Sequence, residues 1–154
     1  MITRRDVGVA AVAVVVTAAV AGFARSAPKP VPPPMHSSVF DWAGFKVEAK
    51  KTGSRRECLD GRTATLDRLE VHATTLNPGE APHAAHKHPE EELIIVKEGV
   101  LETSQNDKTN RVEAGGLIFE ASNEMHGLKN IGTKPAVYYV IKWFSPGMLK
   151  EAAK

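Results

Sequence analysis

The chain of 154 residues has one cysteine, Cys58. A single thiol forms no intrachain disulfide, so a disulfide-stapled scaffold is excluded and Cys58 reads as a buried apolar thiol, the alternative being an exposed reactive one. Net charge is lacking as well, at a formal +2. Residues 1–26 hold three arginines and one aspartate, and without them 17 basic residues face 17 acidic ones. A neutral remainder gives no reason to expect a nucleic-acid partner. Past the first thirty or so positions no segment carries a long period of 3.6, so helical architectures have no support. With 42% hydrophobic residues and no internal repeat, the chain is neither disordered nor fibrous; it is one domain's worth of material.

What is present begins with an address. Met1 to Arg5 is a short basic start, and Val7 to Ala24 runs without a charge until Arg25. This is the shape of an export signal, and Arg4-Arg5 ahead of the apolar run resembles a twin-arginine signal, favoured here over the general secretory route. Small residues at Ala24 and Ser26 place cleavage after Ser26. The alternative is retention of the run as a membrane anchor, for which it is just long enough. The expected organisation is an export signal over 1–26, a Pro-rich linker over 27–36 that includes APKPVPPP, and a folded domain over 37–150. The expected location is therefore outside the cytoplasm, periplasmic or extracellular.

Short alternating runs rich in Val, Ile, Thr and Tyr follow between Gly, Pro, Asn and Asp. They predict strands over Phe45–Ala49, Ala64–Leu76, Glu92–Val96, Val100–Ser104, Leu117–Phe119, Gly127–Asn130 and Val137–Phe144. Asp60-Gly61 and Gln105-Asn106-Asp107 read as hairpin turns, and Pro146–Lys154 as a short helical tail. The class is all-β, a sandwich or small barrel.

The chemistry gathers in PGEAPHAAHKHPEEELIIVKEG, residues 78–99. On a strand, His86 and His88 project from one face, where two nitrogens can meet one metal ion. Pro89-Glu90-Glu91 turns the chain, and the strand that follows can bring a carboxylate back beside the rings. A second stretch, GGLIFEASNEMHGLKN over residues 115–130, adds His126.

These residues resemble the cupin family. Its first motif has a Gly, His-x-His, a Glu three or four residues on, and a Gly after six more; here these are Gly79, His86, His88, Glu92 and Gly99, with Gly79 one residue farther from His86 than the pattern has it. The spacing on both sides selects Glu92 over Glu90 and Glu91. The second motif matches Gly115, His126 and Asn130, with Ala121 in place of the usual Pro and Asn123 in place of the inner Gly. The resemblance implies a single-domain cupin-type small β-barrel (a double-stranded β-helix, or jelly roll). It also implies a metal held by His86, His88, Glu92 and His126, and a homodimer paired through sheets.

By their chemistry alone, three neutral imidazoles and one carboxylate leave up to two positions of an octahedral ion open to water, dioxygen or a bidentate substrate. Manganese or iron is favoured over zinc, nickel or copper, because twin-arginine export carries folded protein and could keep a weaker-binding ion acquired in the cytoplasm. His83, near the motif, and Tyr139, on the last strand, are candidate acid–base groups, and His72 a candidate substrate contact. Lys142 could point inward and meet an anionic substrate. The expected function is a small metalloenzyme acting on a small oxygenated substrate, with oxygenase-type and isomerase- or hydrolase-type chemistry both open. The alternative is a binding or sensing module that holds a sugar or organic acid without turnover.

Overall fold

A computed structural model describes residues 31–148, so the export signal and residues 27–30 of the linker lie outside the described residues. Within them nine strands run β1 (Lys46–Lys50), β2 (Gly53–Gly61), β3 (Arg68–Leu76), β4 (Glu91–Glu98), β5 (Val100–Gln105), β6 (Lys108–Glu113), β7 (Leu117–Glu120), β8 (His126–Asn130) and β9 (Ala136–Phe144). They form two antiparallel sheets, one in the order β1-β2-β3-β9-β4-β7 and one in the order β6-β5-β8. The all-β jelly roll expected from the sequence is the observed architecture.

Period-2 alternation explains which residues turn inward. On β4, Glu92, Ile94 and Val96 are buried while Leu93 and Ile95 are half-exposed. On β9, Ala136, Tyr138 and Val140 are buried, and on β3, Glu70, His72 and Leu76. The apolar members of these rows meet Leu101, Ile118 and Leu128 in one core. Each such side chain stabilises the fold by about 1.5–3 kcal/mol through burial.

Gly99 separates β4 from β5 at φ 89°, and a Cβ there would lie 2.7 Å from Ala136, so the tight step between the sheets requires glycine. The hairpin at Asn106-Asp107 forms as expected, Gln105 facing Lys108 across it. Asn106 adopts φ 53°, a region asparagine tolerates.

Four sequence expectations are corrected. Strand β2 was not foreseen, because GSRRECLDG has no apolar alternation and is held by pairing with β3. Nor was β6, an edge strand in which only Val112 packs against the core. Asp60-Gly61 is no turn, since both residues pair with β3, opposite Glu70 and Leu69. The reversal comes later, where Thr63 Oγ1 accepts from the amides of Thr65 and Leu66, so β3 starts at Arg68 rather than at Ala64. Residues 149–154 of the expected helical tail lie outside the described residues. Cys58 is half-buried, and burial pushes its thiol up, away from the reactive thiolate.

Candidate metal centre

The histidines of the first motif lie on the connection between β3 and β4. His86 and His88 are not on a regular strand: His86 forms one isolated bridge to His126, each amide donating to the other's carbonyl at 2.9 Å. This fixes the spacing of two imidazole-bearing backbones on different segments. His88 is held by the turn over 121–124, where the Asn123 amide donates to the His88 carbonyl at 2.8 Å and Ser122 Oγ donates to the Pro89 carbonyl at 2.6 Å. Asn123 sits at φ 59°, which explains why asparagine can replace the glycine expected there. Asn130, at the other end of β8 from His126, is fully buried, donating to the carbonyls of Leu76 and Lys134 and accepting from the Gly132 amide. Its role is structural.

The three rings converge. Centroids lie 4.7 Å apart for His86 and His126, 4.8 Å for His88 and His126, and 5.1 Å for His86 and His88. One nitrogen from each falls within 4.8 Å of the other two, and this is the metal-competent cluster among the described residues. Carbonyl contacts set the tautomers, since His88 Nδ1 donates to the Glu90 carbonyl at 2.8 Å and His126 Nδ1 to the Glu124 carbonyl at 3.0 Å. Both Nε2 atoms are thereby left with lone pairs. His126 Nε2 and His86 Nδ1 are buried without a hydrogen-bond partner. Burial, reinforced by His83, His126, His88 and Lys142, lowers the His86 pKa and keeps its ring neutral, the form a metal binds.

Glu92 is buried beside the cluster, with Oε2 3.4 Å from His88 Nε2. The same oxygen lies 3.1 Å from Lys142 Nζ, which in turn is 3.4 Å from His88 Nε2. Lys142 therefore points inward. Glu90 is placed differently: its Oε2 approaches His88 from the Nδ1 side, at 3.7 Å.

The centre opens into a cavity of about 510 Å3 that reaches His72, Thr74, Ile94, Leu128, Tyr138 and Val140. His83 is exposed at its mouth, its ring edge-on to His86 at 4.2 Å. His72 does face the cavity, yet it is engaged: Nε2 lies 3.4 Å from Arg55 Nη1, and Nδ1 lies 3.3 Å from Glu70 Oε1, out of hydrogen-bond alignment. Tyr139 does not reach the cavity. It faces the opposite side of β9, its ring edge-on to Trp42 at 6.0 Å, and Tyr138 is the inward neighbour. Pairing decides this, because Tyr139 sits opposite Ala73 and Ile95 while Val140 sits opposite His72 and Ile94.

Glu120 was missed by sequence reasoning. It ends β7 directly opposite Glu92, is buried at 3% exposure, and accepts from Thr103 Oγ1 at 3.2 Å and Gln105 Nε2 at 2.9 Å. Burial raises its pKa. The available signal was its place two residues after Ile118 on the inward row of β7.

Residues 72–142 match the family model described as a cupin domain. Solved structures superpose over most of the chain. A RmlC-like cupin from Shewanella frigidimarina gives a TM-score of 0.58 at 16% identity, covering 71% of this chain and 94% of its own. The domain has the cupin fold. A predicted oxalate decarboxylase from Thermotoga maritima gives 0.59 at 20% identity, covering 70% of this chain and 99% of its own. The polyketide cyclase RemF from Streptomyces resistomycificus gives 0.59 at 22% identity, covering 73% and 82%. Identities this low speak for fold alone, and the stretch that matches the family model is less than half of the chain. No curated protein sequence matches the chain. Among structures sharing the cupin fold, some are named as enzymes, while this domain carries three histidines able to hold a metal ion.

Proposed function

We propose that the protein is an exported cupin metalloenzyme whose metal is held by His86, His88, His126 and Glu92. The observation that carries this reading is the convergence of three imidazoles in which two buried nitrogens, His86 Nδ1 and His126 Nε2, have no partner. A buried unpaired nitrogen costs about 1–3 kcal/mol, and a ligand bond removes that cost. The donor set, all nitrogen and carboxylate oxygen, suits manganese or iron, and such an ion would supply Lewis acidity or dioxygen activation when bound.

The chain's own groups would do the rest. His88 and His126 are held in their metal-binding tautomers by the Glu90 and Glu124 carbonyls. Glu120, facing the same cavity with a raised pKa, is suited to hold a proton at a carboxyl oxygen near the substrate. His83 at the mouth is the second candidate for proton exchange with solvent. The aliphatic wall of Ile94, Leu128 and Val140 equally suits a binding module without turnover, so multiple-turnover assays decide between the two readings.

The export signal over 1–26 remains part of this proposal, and a mature mass beginning at Ala27 would support it. A homodimer is proposed through the outer face of the larger sheet, where Leu117 and Phe119 are exposed at 63% and 51% and Phe119 stacks on Trp143. A light-scattering mass of one chain would remove that element.

Elemental analysis of protein purified from its native compartment tests the centre. Near-stoichiometric manganese or iron is expected, and His126→Ala should weaken metal binding about a hundredfold while circular dichroism keeps its β signature. Protein that takes up no metal would overturn the site.

A further inference from the structure

We infer that the cavity takes a small carboxylate with an apolar body, its carboxylate seated on the Lys142 ammonium beside the imidazole cluster. The inference rests on the metal reading above and extends it to the ligand.

Lys142 lies on the inward row of β9, and its side chain is only 19% exposed. Lysine is rarely this buried without partners. Its partners are unusual, since Nζ lies 3.1 Å from Glu92 Oε2 and 3.4 Å from His88 Nε2, two atoms that the metal reading assigns to the ion. His88 Nε2 has one lone pair and cannot serve an ammonium and a divalent ion together, whereas the Glu92 carboxylate has lone pairs for both. With an ion bound, Lys142 would lose His88 and share Glu92 with the ion, leaving N–H donors unmet, since Glu90 Oε1 at 3.9 Å is beyond hydrogen-bond reach.

No other carboxylate on the cavity wall is free to replace His88. Glu120 already accepts from Thr103 and Gln105, and Glu70 from Arg55. Of the other cations at the wall, Arg55 is bound to Glu57 and Glu70 and Lys50 to Glu48, while Lys51 is exposed to solvent. Lys142 is therefore the half-buried cation with donors left for an incoming ligand, beside the residues that would hold the metal. A carboxylate meets both demands, with one oxygen for the ammonium and one for the ion. The wall beyond is mainly apolar, Ile94, Leu128, Val140 and the buried Tyr138 ring outweighing the hydroxyls of Thr74 and Thr75, so the ligand's body is mainly apolar too. A volume of about 510 Å3 is within the range that holds small molecules.

The test uses the full chain loaded with Co2+, a spectroscopic probe for the site, and follows its visible bands and calorimetry on adding butyrate, benzoate and phenylacetate or their amides. At least one carboxylate should bind roughly tenfold or more tightly than its amide and shift the Co2+ bands. Lys142→Met should abolish that preference while binding Co2+ at least as tightly as the wild type, because the ammonium no longer competes for His88 Nε2 or repels the ion. Lys142→Arg, retaining the charge, should keep much of the preference, and it answers the question if the methionine variant fails to fold. Equal binding of acids and amides, or a preference that survives in Lys142→Met, overturns this inference and leaves the metal reading standing. Failure of the wild type to bind Co2+ overturns both.

Discussion

Two clusters of buried charge reach the interior of this barrel, and they are finished in opposite ways. In the first, Glu70 has a partner for each oxygen: Arg55 at 2.7 Å and His72 at 3.3 Å on Oε1, Arg68 at 3.0 Å on Oε2. Arg68 continues to Asp60 through two contacts of 2.6 Å. In the second, Glu92 shares Lys142 with His88, while His86 and His126 each keep a buried nitrogen with no partner. In the first network both oxygens of the carboxylate are met by cations, and the one unaligned atom, His72 Nδ1, already lies 3.3 Å from Glu70 Oε1. The second is poised to bind, because buried polar atoms left open are costly unless something arrives to meet them. Both present histidines on inward-facing positions, so residue type alone does not separate scaffold from site; the state of the hydrogen-bonding atoms does.

The sharpest way to break this contrast is at Glu70. His72, opposed by burial and aided by Arg55 and Arg68, holds its carboxyl down to about 2 from an ordinary 4.5. A depressed folded-state pKa contributes stability above the unfolded pKa, and that contribution is lost as pH falls from about 4.5 towards about 2. The loss should approach about 2–3 kcal/mol, read from urea midpoints across that window. Glu70→Gln should remove a similar amount at neutral pH and flatten the acid limb, because Arg55 and Arg68 are left short of a partner. Its metal affinity should stay within about twofold of the wild type. A strong loss of metal binding in Glu70→Gln would show that the two clusters act as one.

Glu120 gives a smaller effect of opposite sign. Burial above all raises its pKa, with Glu92 adding to the rise while Gln105, His126 and Thr103 oppose it. As pH climbs, the unfolded chain therefore loses this proton first, and the folded state is penalised above the ordinary carboxylate range. Glu120→Gln, which stays neutral, should gain on the order of 1 kcal/mol at pH 7, and the gain should shrink towards pH 4. A variant less stable at pH 7 than the wild type would mean that the ionised carboxylate is paired more favourably than its surroundings suggest.

The fold and the centre were legible to different depths. Strands β4, β5, β8 and β9 were readable because their alternation faces a core, as with Ile94 and Val96 or Tyr138 and Val140. Strands β2 and β6 were not, since pairing with a neighbour holds them and their residues show no apolar period. The histidines were readable from spacing, and the structure brings them together through the His86–His126 bridge rather than through a regular strand. Parity on β9 could not be read, which is why Tyr139 was favoured over Tyr138: two adjacent tyrosines face opposite ways, and only the register with His72 and Ile94 says which is inside. Glu120 was hidden for a related reason, because its significance comes from lying across from Glu92 on another strand.

The smallest expected effect lies at Glu90, which separates proximity from coordination. Glu90 is as near the cluster as several groups that matter, with Oε2 3.7 Å from His88 Nδ1 and Oε1 3.9 Å from Lys142 Nζ. However, His88 Nδ1 already donates to the Glu90 carbonyl at 2.8 Å, so the side chain sits behind the imidazole, away from its lone pair. Glu92 Oε2 is on the other side, 3.4 Å from Nε2. An ion bound to Nε2 can share Glu92 and is screened from Glu90 by the ring. Glu90→Gln should therefore change metal affinity by less than about twofold, through the lost field of one charge. Glu92→Gln should weaken it about tenfold or more through a lost ligand. The reverse order in a metal titration would show that the carboxylate ligand had been assigned two residues too far along the chain.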